Sequence, residues 1–188
     1  KGETIIKQGV RASQIPYLEK GMVMLSYKNH NKETTFKIFA SNTFIGLMCA
    51  FVKRKFDFSA TAISKSTVRL IVRDLFEKAI RSNGDFAVYI VQEMSLTTNE
   101  VVTDLIKLGQ KNADGAICSL ILEFAEIFQS NNFKIPLSRV EFANAVGYSK
   151  ESVITCLSKL QQEGILRVSG KNIEILSEER LKTIATYG

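Results

Sequence analysis

Near the C-terminus, Ser149-Lys150-Glu151-Ser152 and then Thr155, Ser158 and Lys159 gather hydroxyl, ammonium and carboxylate groups at helical spacing. On one face of a short helix, these groups suit what a DNA major groove displays: base edges that donate and accept hydrogen bonds, flanked by phosphates. Arg139 and Lys171 add a cation on either side of the run.

The surrounding residues supply the elements that such chemistry needs. Ser138 is followed three residues later by Glu141, a capping box, with Leu137 and Phe142 at the two staple positions around it. Gly147 can take the positive φ that ends this first helix. Ser149 can cap a second helix, with Tyr148 and Val153 as its staple. On that helix Val153, Ile154, Leu157 and Leu160 are read onto one face and Glu151, Thr155, Ser158 and Lys159 onto the other. The plainest alternative is a packed helical hairpin with a polar outer surface. The segment after this helix favours DNA. Gly164 to Leu176 reads as a β-hairpin around a Ser169-Gly170-Lys171-Asn172 turn. Its tip offers backbone N–H groups and Lys171 to phosphate oxygens. Ser177 is expected to cap a final helix that carries Glu178 and Glu179 in its first turn.

Taken together, Tyr148-Ser149-Lys150-Glu151-Ser152-Val153, the Val168-Ser169-Gly170-Lys171-Asn172-Ile173 wing and a β-rich N-terminal half resemble the cyclic-AMP receptor protein / FNR (Crp/Fnr) family of bacterial transcription regulators. The resemblance covers nearly the whole chain. It implies an α+β architecture: an N-terminal double-stranded β-helix of the cyclic-nucleotide-binding jelly-roll type, a long dimerisation helix and a C-terminal winged helix-turn-helix. It also implies a homodimer on double-stranded DNA, a cytoplasmic setting, and RNA polymerase as a candidate further partner. By position, Lys150 and Glu151 become base readers, with guanine and cytosine N4 as their natural partners. Thr155 stands where relatives often carry a second base-reading arginine. Arg139, Ser149, Ser152, Lys159, Ser169, Gly170 and Lys171 would hold phosphates.

The resemblance breaks at the effector site. Cyclic-nucleotide binders of the family use a Gly-Glu pair for the ribose hydroxyl and an Arg-Ser pair for the cyclic phosphate. Here the corresponding positions are Gly46-Leu47 and Phe58-Ser59, with a one-residue length difference between them. Leucine accepts no hydrogen bond and phenylalanine pairs no phosphate. The expectation is a sensor that ignores cAMP and takes an unknown, more apolar effector or none. No cofactor is identified. Lys53-Arg54-Lys55 reads as solvated loop charge rather than as an anion site.

Composition agrees with a two-domain protein. The chain has 188 residues, 45% of them hydrophobic, with no stretch of membrane-span length and no signal peptide visible in these residues, a missing start leaving targeting open. It starts at Lys1 without a Met, so a truncated N-terminus is expected. Cys49, Cys118 and Cys156 lie far apart and lack metal-ligand spacing, which suits small buried hydrophobes and gives no support to zinc or iron–sulfur binding. Residues 1–114 hold 17 Lys and Arg against 11 Asp and Glu, whereas residues 115–188 hold 8 of each. The basic excess therefore lies outside the winged region, and nonspecific DNA affinity should be modest. That neutrality keeps a second reading open, in which the winged region docks a protein. Catalysis finds no Gly-rich phosphate loop, no H-E-x-x-H and no G-x-S-x-G, and the single His30 sits in a polar turn, Lys28 to Lys32.

Thr4–Gly9, Met22–Tyr27, Thr34–Phe39 and Thr67–Val72 read as strands. Asp74 with Glu77 is expected to cap a helix reaching Asn83. From Asp85 to Leu108 the chain reads as a helix of about 24 residues, near 36 Å long. Ile90, Val91, Met94, Thr98, Val101, Val102 and Leu105 repeat on it at spacings of three and four. This stripe either packs on its own β-domain or pairs with a second copy; its length and the family resemblance favour the pair. Gln110 to Gly115 reads as a hinge, and Ala116 to Phe128 as a helix with Leu120, Ile121, Phe124 and Phe128 inward. The expected division is 1–84 sensor, 85–110 dimer helix and hinge, and 111–188 winged domain.

Overall fold

A computed structural model describes residues 1–30, 32–52 and 54–188, with the backbone alone at 107 and 108; Asn31 of the polar turn and Lys53 of the basic run lie outside the described residues. The chain divides into two compact units, Lys1–Leu105 and Ile106–Gly188.

In the first unit the described strands form two antiparallel sheets. One has the order β1 (Thr4–Ile6), β6 (Ser59–Ala62), β3 (Val23–Asn29), β4 (Lys32–Phe39); the other has β5 (Thr43–Phe44), β2 (Gln14–Lys20), β7 (Thr67–Val72). Ile15, Leu18, Val23, Leu25 and Ala60, from both sheets, and Ile45, just after β5, are at most 1% exposed and form the centre of the core. β1 ends short of the expected Gly9, which has φ +84° and donates to Phe56 O at 2.7 Å. β2 and β6 lie outside the strands expected from sequence. Pro16 argues against a central strand because it has no N–H to donate. It is accommodated because its carbonyl serves instead, accepting from Ile45 N at 2.8 Å.

Three helices complete this unit: α1 (Leu47–Val52), α2 (Arg73–Ser82) and the start of α3 (Gly84–Gln110). Gly46 turns the chain into α1 with φ +80°, and a Cβ there would stand 2.7 Å from the Phe56 ring. Asp74 and Glu77 do not form the expected cap. Val72 is the N-cap residue and makes no side-chain bond. Both carboxylates instead pair with the buried Arg73, Glu77 at 3.1 Å and Asp74 at 3.7 Å, as a buried guanidinium requires.

α3 carries two apolar stripes rather than one. Ile90 is 3% exposed in the β-roll core, Met94 packs against that core, and Val101 lines a cavity within the unit. These three were expected to face a partner, yet they turn inward, and Ile90 has no surface left to share. Val88, Val91, Ser95, Thr98, Val102 and Leu105 lie on the outer side at spacings of three and four, with Val88, Val91, Val102 and Leu105 each about half exposed. The two stripes are one residue apart, about 100° around the helix.

The second unit begins with the end of α3. Helix resumes at α4 (Ala113–Phe128), so the break is narrower than the expected hinge, and Asn112 caps α4 by accepting from Gly115 N at 3.0 Å. β8 (Asn132–Lys134), α5 (Arg139–Val146), α6 (Lys150–Gln162), β9 (Leu166–Ser169), β10 (Asn172–Ile175) and α7 (Glu178–Tyr187) complete the chain. β10 lies between β8 and β9. Ile117, Cys118, Ile121, Phe124, Phe142, Val153, Leu160 and Leu181 are buried in this unit. Ser177 stands at the N-cap of α7 but makes no side-chain cap bond, contrary to expectation. No helix among the described residues is long and apolar enough to cross a membrane, and no described group of His, Cys, Asp and Glu could hold a metal ion.

Candidate nucleic-acid interface and sensor cavity

The turn between α5 and α6 is fixed by local bonds that the sequence already specifies. Ser138 Oγ accepts from Glu141 N at 3.2 Å while Glu141 Oε2 accepts from Ser138 N at 2.6 Å, completing the capping box. Gly147 ends α5 with φ 76°. Ser149 caps α6 by accepting from Ser152 N at 3.0 Å. The Tyr148 hydroxyl donates to Lys111 O at 2.6 Å.

Val153, Cys156, Leu157 and Leu160 form the buried face of α6. Ile154, expected among them, is 45% exposed, and Cys156 holds the inward position instead. Lys150, Glu151, Ile154, Thr155 and Ser158 are exposed. On the wing, Ser169 and Gly170 are exposed and Lys171 half-buried, with Gly170 at φ 59° in the turn. Lys171 O accepts from Ile135 N at 2.9 Å, which ties the wing to the segment before α5.

Two expected phosphate ligands have partners inside the protein. Arg139 Nη2 donates to Gly170 O at 2.7 Å, holding the wing tip; burial pushes the guanidinium pKa down. Lys159 Nζ donates to Asp114 Oδ2 at 2.8 Å. That ammonium holds the Asp114 carboxyl below its ordinary value of 3.8, against a smaller opposing effect of burial. Because the folded pKa is the lower one, the pair stabilises the fold above the ordinary carboxylate range, and the contribution is lost as pH falls through the folded pKa. We therefore expect Asp114→Asn to lower the melting temperature at neutral pH and to flatten its fall on acidification, as read by thermal unfolding across that range. Cys156 lies against Cys118 and is buried, which pushes its thiol pKa up and leaves it without thiolate character at neutral pH.

In the first unit, Gly46, Leu47 and Phe58 come together. With Phe36, Met48, Met94 and others they line a cavity of about 20 Å³, enough for about one water molecule. Ser59 does not line it; its hydroxyl accepts from Gln8 N at 3.1 Å. Apart from Thr97, every described side chain on the lining is apolar. Lys37, beside Phe36 in β4, is already held by Asp104 at 2.8 Å and Glu100 at 3.2 Å. Burial opposes its charge, and the two carboxylates more than reverse that, so its pKa is raised.

A capped helix that shows an exposed face beside a wing belongs to the class of units that read duplex DNA. Comparison with known proteins names the family. Residues 115–184 match the Crp-like helix-turn-helix domain, and residues 1–83 match the cyclic nucleotide-binding domain. The transcriptional activator protein FnrA of Stutzerimonas stutzeri is 25% identical, across 98% of this chain and 78% of its own. The cAMP-activated global transcriptional regulator CRP of Salmonella typhimurium is 26% identical, across 92% and 85%. The solved structure of FixK2 from Bradyrhizobium japonicum superposes with a TM-score of 0.85 at 24% identity, across 98% and 93%. The chain belongs to the Crp/Fnr family and is a transcription regulator with a helix-turn-helix DNA-binding domain. Regulators of this family bind DNA and act as dimers.

Proposed function

We propose that this regulator acts as a homodimer on a two-fold symmetric DNA site, with residues 1–84 as sensor, 85–110 as dimer helix and hinge, and 111–188 as reader. The observation that carries the reading is the exposed N-terminal face of α6 beside the wing. Lys150 and Glu151 read base edges, Thr155 lies next along the groove, and Ser149, Ser152, Ser169, Gly170 and Lys171 meet phosphates. Arg139 and Lys159 act chiefly as braces for the wing and for α6. The dimer forms along the outer stripe of α3, where Val91, Thr98, Val102 and Leu105 keep the roles read from sequence and Val88 joins them. RNA polymerase, in the cytoplasm, is the further partner. Selection from random duplexes tests this: half-sites centred about 34–36 Å apart should be enriched, and no enrichment would reject it.

The sensor, in the same proposal, does not answer to cAMP. Among the described residues, the cavity lining offers no cation for a phosphate and no carboxylate for a ribose, and its one hydroxyl is that of Thr97. Calorimetry with cAMP or cGMP at micromolar concentration should record no binding heat. Saturable heat accompanied by altered DNA affinity would place the pocket elsewhere.

A further inference from the structure

Ile154 sits in the middle of the exposed face of α6, one turn after Lys150 and Glu151 and next to Thr155. An isolated apolar side chain on a surface is ordinary by itself. This one is 45% exposed on the helix that enters the groove, while its neighbours Val153, Cys156 and Leu157 fill the buried face. Ile154 is therefore not needed to close the core. Thr155 adds a second methyl group beside it. The centre of the reading face thus offers hydrocarbon where a charged or amide side chain would offer hydrogen bonds.

In the major groove a single base displays hydrocarbon: thymine, through its C5-methyl group. Burying one methyl-sized group is favourable, whereas pressing Ile154 against guanine O6 or cytosine N4 would strand a polar atom. We propose that Ile154 is a specificity-determining residue that recognises a thymine methyl in each half-site. Lys150 and Glu151 read the flanking pairs. The inference rests on the DNA-reading proposal above and assigns it one further base.

The test changes only the methyl group. Each thymine of the selected site is replaced, one at a time, by uracil, and affinity is measured for the wild type, Ile154→Ala and Ile154→Ser. In the wild type, one thymine per half-site should weaken binding about fourfold on replacement, the worth of one buried methyl-sized group. In both variants that particular difference should vanish, while the other thymines keep theirs. The side chain is exposed, so neither variant opens a cavity, and circular dichroism confirms the fold. A wild type indifferent to uracil at every position overturns the proposal, as does a thymine preference that survives unchanged in both variants. If no sequence is enriched at all, the DNA-reading proposal falls first, and this one with it.

Discussion

Exchanging Val91 and Val102 for Glu will turn the proposed dimer into monomers at any concentration convenient for sedimentation. The two valines are 62% and 48% exposed in the single chain, so neither is part of its core. Across two copies the change replaces four valines, each worth about 1.5 kcal/mol when buried, and sets like charges against one another. The loss is on the order of 6 kcal/mol before repulsion is counted, about four decades in Kd. Circular dichroism should remain native, which separates this outcome from unfolding. Met94→Glu makes the contrast: it places a charge against the β-roll core, and unfolding rather than dissociation is expected. An undisturbed dimer in the Val91/Val102 variant would show that the outer stripe of α3 is not the seam.

Glu151→Ala and Lys171→Ala should fail in different ways. Loss of the Glu151 carboxylate should relax discrimination at one base pair per half-site by about 1–3 kcal/mol, leaving other positions as they were. Loss of Lys171, on the wing, should weaken all duplexes alike and lower the salt slope by about one unit. Binding measured over a salt series on matched and mismatched duplexes distinguishes the two. A preferred sequence that Glu151→Ala leaves intact and Lys171→Ala alters would mean that α6 is not the element in the groove.

How far the fold can be read from the chain depends on how local its causes are. The α5–turn–α6 unit is written in residues three or four apart: Ser138 with Glu141, Gly147 at the stop, Ser149 at the next start. Tertiary context changes none of these. Ile154 and Cys156 trade places between expectation and structure because the apolar arc of α6 can be drawn through either, and the packing of α4, α5 and β9 against α6 decides which is covered. In α3, apolar residues stand side by side at Ile90-Val91 and Val101-Val102. A single period cannot divide such pairs; the division depends on where the β-roll lies. β2, with Pro16 near its start, and β8, three residues around Phe133, are strands through their partners rather than their own propensity. The cavity residues Gly46, Leu47 and Phe58 are reached through family resemblance. The pairing of Arg139 and Lys159 within the protein has no sequence signal, since it joins residues 31 and 45 positions apart.

The two stripes of α3 make that helix a camshaft. One side of the shaft, Met94 and Val101, bears on the cavity of the first unit, and the other, Val91 and Val102, carries the proposed seam. Side-chain tips lie about 5–6 Å from the axis, so each turn of about 10° carries them sideways by about 1 Å. Close-packed surfaces do not absorb such a slip smoothly; they re-seat in a new register. In the proposed dimer, a change in the space against Met94 is expected to select among seatings of the two copies, by rotation alone and without lengthening or unwinding the helix.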